Sequence, residues 1–219
     1  MLVAILLAAG ASTRAGEDKA LADIGGRPMV RWAADALAAE SRVSRLLVIE
    51  RKGAHEVGEA VRGLAKPYAV WPGGETRADS VRSALRASVG ADVVLVHDAA
   101  RPFVDAATIA RVIDGQEQHG AAAAALPVSD TIRRGDSEWA GDTLEREGVW
   151  AMQTPQAFRR EDLVRGYEAM AAATDCAAAA LAAGVRVHLV RGHALNFKVT
   201  SPEDLELARA LARAGVVGR

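Results

Sequence analysis

Apolar residues come in short consecutive runs, separated by longer stretches where they recur every three or four positions. The runs fall at 2–7, 46–49, 69–71, 93–96, 121–126 and 185–190. Most are apolar at successive rather than alternate positions, the pattern of strands covered on both faces. Stretches at 28–39, 77–87, 106–118, 160–172 and 202–214 have the spacing of amphipathic helices. Ser201-Pro202 opens the last of these with a capping residue and then proline at the first helical position. The alanines at 121–125 read as helix or as strand, and a strand is due there, before Pro127. Regular strand–helix alternation predicts an α/β fold on a parallel sheet with right-handed crossovers.

One stretch breaks this rhythm. Residues 129–149 are polar, with Arg133, Arg134, Asp136, Glu138, Asp142, Glu145, Arg146 and Glu147 and no helical stripe. A loop of that length inside a compact domain has its own structure or a task. An arm is expected there, a hairpin turning near Gly135 or Gly141. No internal repeat or linker appears, and 219 residues suit a single domain over 1–219 containing the 129–149 arm.

Composition removes several function classes. Hydrophobic residues make up 50% and charged residues 25% of the chain, enough for a core and against disorder. The formal net charge is −1, so no bulk basic field points to nucleic acid. The four Trp and two Tyr form no basic–aromatic stripe for a single strand. Cys176, the one cysteine, excludes an intrachain disulfide and a Cys-rich zinc site and fits a cytoplasmic protein. The early apolar run at 2–9 is too short to span a bilayer and lacks the preceding Lys or Arg of a secretory signal. No membrane partner is expected. His55, His119, His188 and His193 show no metal-ligand spacing, and His97 reads as a structural neighbour of Asp98.

Candidate chemistry begins after the first strand, with Leu7-Ala8-Ala9-Gly10-Ala11-Ser12-Thr13-Arg14-Ala15-Gly16-Glu17-Asp18-Lys19. In open parallel sheets, ligands bind beyond the carboxyl ends of strands. Gly10 and Gly16 let backbone N–H groups approach an anion, and Arg14 and Lys19 add two cations. Neither a dinucleotide fingerprint nor a Walker spacing is present. On this loop alone, a phosphate cradle and a glycine turn with solvated charges are both open. Asp98 follows the run at 93–96, at another carboxyl end. A carboxylate there suits Mg²⁺ directly or through water, a ribose hydroxyl, or a plain turn before a helix.

Further segments follow in order: Gly73-Gly74-Glu75-Thr76-Arg77-Ala78-Asp79-Ser80-Val81, then Val96-His97-Asp98-Ala99-Ala100-Arg101-Pro102. Near the end come Thr154-Pro155-Gln156-Ala157-Phe158 and Lys198-Val199-Thr200-Ser201-Pro202-Glu203-Asp204-Leu205. With the first loop, they resemble the 2-C-methyl-D-erythritol 4-phosphate cytidylyltransferases of the sugar-phosphate nucleotidyltransferase superfamily, over nearly the whole chain. The resemblance implies a Rossmann-like three-layer αβα fold with a mostly parallel twisted sheet and a protruding β-arm for dimerisation. It implies attack by the phosphate of a sugar-alcohol phosphate, 2-C-methyl-D-erythritol 4-phosphate, on the α-phosphate of CTP. Pyrophosphate leaves, Mg²⁺ is the expected divalent cation, and the product belongs to non-mevalonate isoprenoid biosynthesis.

By the same resemblance, Arg14 and Lys19 stabilise charge on the triphosphate, with Ala8, Ala9 and Gly10 around it. Gly73, Gly74 and Glu75 close over cytosine, Ser80 caps the following helix or bonds the base, and Asp98 and Ala99 lie in the same site. Arg146 and Lys198 position the acceptor phosphate for attack, accompanied by Arg101 and Thr131. Because the arm crosses to a second subunit in such homodimers, Arg146 would serve the partner's site; a solvated charge beside Glu145 and Glu147 is its alternative. A phosphate monoester has a second pKa of about 6, so the acceptor is largely a dianion and needs no general base.

Two positions depart from the pattern. The short Arg14–Lys19 segment is also similar to that of molybdenum-cofactor guanylyltransferases, a reading that His97-Asp98-Ala99-Ala100-Arg101-Pro102 opposes. Cys176 stands where the resembled enzymes place an acidic residue after the pair that is here Thr174-Asp175. Ribitol 5-phosphate cytidylyltransferase is the neighbouring alternative, and a non-catalytic nucleotide-binding regulatory module is the alternative of a different class. An oxidoreductase lacks its GxGxxG. The chain ends soon after the helix at 202–214, so a fused downstream cyclase, which some relatives carry, is not expected.

Overall fold

The computed structural model describes residues 1–10, 19–136 and 138–217. β1 (Leu2–Leu7) pairs in parallel with β4 (Val43–Glu50) on one side and β6 (Val93–Asp98) on the other. β5 (Tyr68–Pro72) continues the parallel run at the β4 edge. Beyond β6 lie β10 (Trp150–Arg159), β7 (Ala121–Pro127) and β11 (His188–Arg191), completing a seven-stranded sheet. β10 runs antiparallel to both its neighbours, while β11 is parallel to β7. A two-residue ribbon, β2 (Asp23–Ile24) with β3 (Arg27–Pro28), stands apart from it.

Successive residues of β1 face opposite helix layers. Ala4 and Leu6 pack with Val30 and Leu37 of α1 (Met29–Ala39), Val57 of α2 (Glu56–Ala60) and Ile109 of α4 (Ala106–His119). Val3 and Ile5 pack with Val81 of α3 (Arg77–Ala87), Leu163 of α5 (Arg160–Ala169) and Cys176 of α6 (Cys176–Ala182). Burial on both faces is why the runs are apolar at consecutive positions. A third cluster joins Ala208 of α7 (Pro202–Arg213) to Ile24, Met29, Phe103 and Val199.

Local chemistry fixes the element ends. Thr76 caps α3 in a reciprocal box with Asp79, and Ser201 caps α7 in the same way with Asp204. Gly120 ends α4 with φ +85°, a conformation that glycine adopts without steric cost. The alanines of β7 are strand, and all five at 121–125 are buried. A Cβ on Gly115 would stand 3.0 Å from the Ala122 Cβ, so small residues on both sides let α4 lie close against this strand.

β10, α2 and α6 are additions to the expected pattern. Gln153, Thr154, Pro155 and Gln156 interrupt the apolar character of β10, and proline is unusual in a central strand. Pro155 falls in the register shift between Met152 and Gln156, outside the regular ladder. α6 is nearly all alanine and α2 spans five residues, so neither carries a readable stripe. The run at 185–190 yields strand only from His188, because Gly184 (φ +77°) turns the chain and Val185 N–H donates to Ala180 O. α5 stops at Ala169, short of 172.

The polar stretch is an arm. β8 (Ile132–Gly135) and β9 (Ala140–Leu144) form an antiparallel hairpin that turns directly after Gly135. Asp136 Oδ1 tightens the turn by accepting from the N–H groups of Glu138 and Trp139. Trp139 at the tip is 73% exposed. Among the described residues, no helix is long and apolar enough to cross a membrane.

Candidate active site

The carboxyl ends of β1, β5 and β6 open onto a cavity of about 340 Å³. Ala9 and Gly10 contribute its β1 side, and Gly74, Glu75 and Ser80 the side formed by the β5–α3 turn. Asp98 closes it at the end of β6, with Arg77 and Lys198 beside the carboxylate. Gly73 and Gly74 are required by close approach. A Cβ on Gly73 would stand 2.5 Å from the Ala9 Cβ, and one on Gly74 would collide with Asp79. Gly74 N–H donates to Ser80 Oγ at 3.1 Å, so the serine hydroxyl ties the turn to its own helix.

Asp98 is the electrostatic centre. Nε and Nη2 of Arg77 both donate to Oδ1, at 3.1 and 2.9 Å, and Lys198 Nζ donates to Oδ2 at 2.9 Å. Burial alone would raise the Asp98 pKa, but the two cations hold it down to about 2. The carboxylate is therefore charged at any pH where the protein works. Its backbone is fixed as well, since Asp98 N–H donates to Thr154 Oγ1 at 3.1 Å.

His97 lies immediately behind. With the Thr154 hydroxyl accepting from Asp98, its single proton goes to His97 Nδ1 at 3.0 Å. His97 Nε2–H then donates to Arg101 O at 3.0 Å. Burial lowers the His97 pKa to about 4, so this ring is neutral with both nitrogens engaged. It is a structural residue, as its position beside Asp98 suggested. Arg101 donates through Nη1 to Asn196 O at 2.8 Å and through Nη2 to Met152 O at 3.2 Å. It thereby ties β10 to the loop that carries Lys198. Asn196 adds a bond from Nδ2 to Thr154 O at 2.7 Å.

The residues singled out from sequence separate into groups. Ala9, Gly10, Gly74, Glu75, Ser80, Asp98 and Lys198 line the one cavity. Ala8, Gly73 and Ala99 support it through backbone N–H bonds to Ile49 O, Glu50 O and Leu7 O. Lys19, in a short 3₁₀ turn (Lys19–Leu21), donates to Thr200 O, two residues beyond Lys198. Arg14 lies outside the described residues. Thr131 and Arg146 are exposed on the arm, where Arg146 donates to Ser129 O, and neither lines the cavity of this chain.

From sequence, Arg77 is one of the cations placed close beside the phosphate-rich site, with no partner named for it, and Thr154 has no role. A cation at the first position of α3, where the helix dipole disfavours it, was the available signal for Arg77. Cys176 is fully buried and bridges the cluster to α5, with Arg77 Nη1 3.9 Å and Tyr167 Oη 3.5 Å from its sulfur. Burial raises its thiol pKa, so it faces the guanidinium as a neutral group.

As to a divalent cation, Asp98 offers one carboxylate, with Oδ1 bonded to Arg77 and Oδ2 to Lys198. Among the described residues, no group of three His, Cys, Asp or Glu side chains is arranged to hold a metal.

Residues 2–214 match the model of the family described as 2-C-methyl-D-erythritol 4-phosphate cytidylyltransferase. The chain is 43% identical to the protein of that name from Bordetella pertussis, covering 94% of this chain and 96% of the relative. It is 46% identical to a bifunctional enzyme IspD/IspF from Anaeromyxobacter dehalogenans over 98% of this chain, and spans 58% of that relative's length. The crystal structure of 2-C-methyl-D-erythritol 4-phosphate cytidylyltransferase from Thermus thermophilus superposes with a TM-score of 0.82 at 37% identity, covering 97% of this chain and all of that one. The chain therefore belongs to the 2-C-methyl-D-erythritol 4-phosphate cytidylyltransferase family of nucleotidyltransferases.

Proposed function

We propose that the chain joins CTP to 2-C-methyl-D-erythritol 4-phosphate, forming 4-diphosphocytidyl-2-C-methyl-D-erythritol and pyrophosphate. The observation that carries this reading is a cavity with a glycine-lined turn on one side and Lys198 on the other. The Gly73–Gly74 turn with Glu75 and Ser80 suits a flat base approached by backbone, and Gly10 with Arg14 and Lys19 suits the triphosphate. Lys198, with Arg101 behind it and Thr131 and Arg146 from an arm, suits the acceptor phosphate. An acceptor oxygen attacks the α-phosphorus, and the bond to the pyrophosphate oxygen breaks. The acceptor arrives as a dianion, which agrees with a site whose only histidine is buried and fully hydrogen-bonded among the described residues. Catalysis then rests on positioning and on cations at the reacting phosphates. A divalent cation bound at Asp98 would neutralise part of the triphosphate charge.

Pyrophosphate release with CTP, Mg²⁺ and methylerythritol phosphate tests the reading. Turnover is expected there and not with GTP; preferential turnover of D-ribitol 5-phosphate would reassign the acceptor, and CTP binding without product would make the chain a nucleotide-binding module. We further infer a homodimer in which the arm supplies Arg146 to the partner's cavity. Chains with Arg146→Ala and chains with Lys198→Ala, each inactive alone, should regain activity when mixed, because one hybrid site is intact. No recovery after demonstrated subunit exchange would refute crossing of the arm.

A further inference from the structure

Arg77 has a position that helix stability does not explain. It is the first residue of α3, so its cation stands at the positive end of the helix dipole. Its side chain is 25% exposed and reaches across to the end of β6, where two of its N–H groups converge on one oxygen of Asp98. That convergence leaves the other oxygen to Lys198. The third side of the guanidinium faces Cys176 from α6, with Tyr167 from α5 behind it.

The two cations on Asp98 differ in freedom. Arg77 is wedged between α6 and the sheet by the fully buried Cys176, and its helix start is locked by the Thr76–Asp79 box. Lys198 sits on a loop with 41% of its side chain exposed. The Asp98 main chain is held separately by Thr154. The carboxylate is thus fixed from behind, and the flexible lysine takes its place from it.

We propose that Arg77 is a positioning residue for nucleotidyl transfer: by pinning Oδ1 of Asp98 it aims Oδ2, and so sets where the Lys198 ammonium stands over the cavity. This rests on the cytidylyltransferase reading given above, in which Lys198 meets the acceptor phosphate. Arg77 itself acts through Lys198. A lysine at 77 keeps the charge but not the forked pair of donors, and a glutamine loses both charge and reach.

A double-mutant cycle tests this. Arg77→Gln should lower kcat/KM for the acceptor on the order of 100-fold, the scale of a small misplacement at a reacting centre, with KM for CTP within about threefold of wild type. Arg77→Lys should restore part of that loss. In a Lys198→Ala background the same Arg77→Gln change should cost less than about threefold, because the group it positions is gone. An equal loss in both backgrounds would overturn the proposal and make Arg77 a purely structural residue. If Arg77→Gln does not fold, the cycle is run with Arg77→Lys under the same criterion. A second readout is independent of turnover: the ¹⁵N resonance of the Lys198 ammonium should move toward that of a solvated lysine in the Arg77 variants. An unchanged resonance would also overturn the proposal. Absence of wild-type turnover with CTP and methylerythritol phosphate would instead refute the cytidylyltransferase reading, and the resonance would still judge the positioning.

Discussion

Lys198→Ala is expected to reduce kcat by about 100- to 1000-fold while the protein stays folded and binds CTP. The magnitude is that of losing one preorganised donor at a centre of developing charge, about 3–4 kcal/mol. At about 4 Å and an effective dielectric near 20, a lysine–phosphate contact is worth about 4 kcal/mol before desolvation, so the loss is electrostatically reasonable. The structural cost is small. Asp98 keeps Arg77 on Oδ1, and the side chain of Lys198 is 41% exposed, so its ion pair is screened by solvent. Lys198→Arg is the informative companion: it keeps charge but replaces a compact ammonium by a longer planar fork, and it should recover only part of the rate. Steady-state kinetics with both substrates varied, beside a thermal melt, checks this. Near-normal turnover in Lys198→Ala would place the acceptor phosphate elsewhere.

The alternation of consecutive apolar runs and amphipathic stretches led directly to the two-faced sheet, because β1, and β6 as far as Val96, are apolar at consecutive positions to bury both sides. It could not lead to β10. That strand carries Gln153, Thr154 and Gln156 inward, where they bond to Asn196, Asp98 and Asp175, and such polar residues look like loop when their partners are unknown. The missed strand is also why Thr154 had no role in the sequence. Its hydroxyl meets His97 only because β10 inserts antiparallel beside β6. The cavity was more legible: Gly10, Gly74, Ser80, Asp98 and Lys198 come from distant segments, and the sheet brings their ends together. Arg77 was legible as a motif residue but not as the partner of Asp98, since a bond between an α3 start and a β6 end depends on side-chain reach. The near-zero net charge of −1 spoke against nucleic acid but not against a phosphate ligand, because cations concentrate locally around one carboxylate.

Thr154→Val should destabilise the fold by about 2–4 kcal/mol, because it leaves two buried polar groups without partners. The substitution is nearly isosteric, so packing contributes little. What is lost is the acceptor for Asp98 N–H and the donor to His97 Nδ1, around a hydroxyl that is 4% exposed at the residue level. For a chain of this size that corresponds to a melting temperature lower by roughly 6–12 °C. Thr154→Ser keeps the hydroxyl and should fall by no more than about 1 kcal/mol. Burial of His97 also sets a pH dependence. His97 has a folded pKa of about 4 against about 6.5 when unfolded, so between those values the unfolded chain binds a proton that the folded chain refuses. Acidification through this window therefore costs about 3 kcal/mol of stability, at one unit per about 1.4 kcal/mol, before the carboxylates contribute. In the native protein the His97 ring resonances should not titrate between pH 8 and 5. A normal histidine titration there would show that burial does not hold His97 neutral, and a Thr154→Val variant melting within a degree or two of wild type would show that the Thr154 bonds do not hold the Asp98 strand end in place.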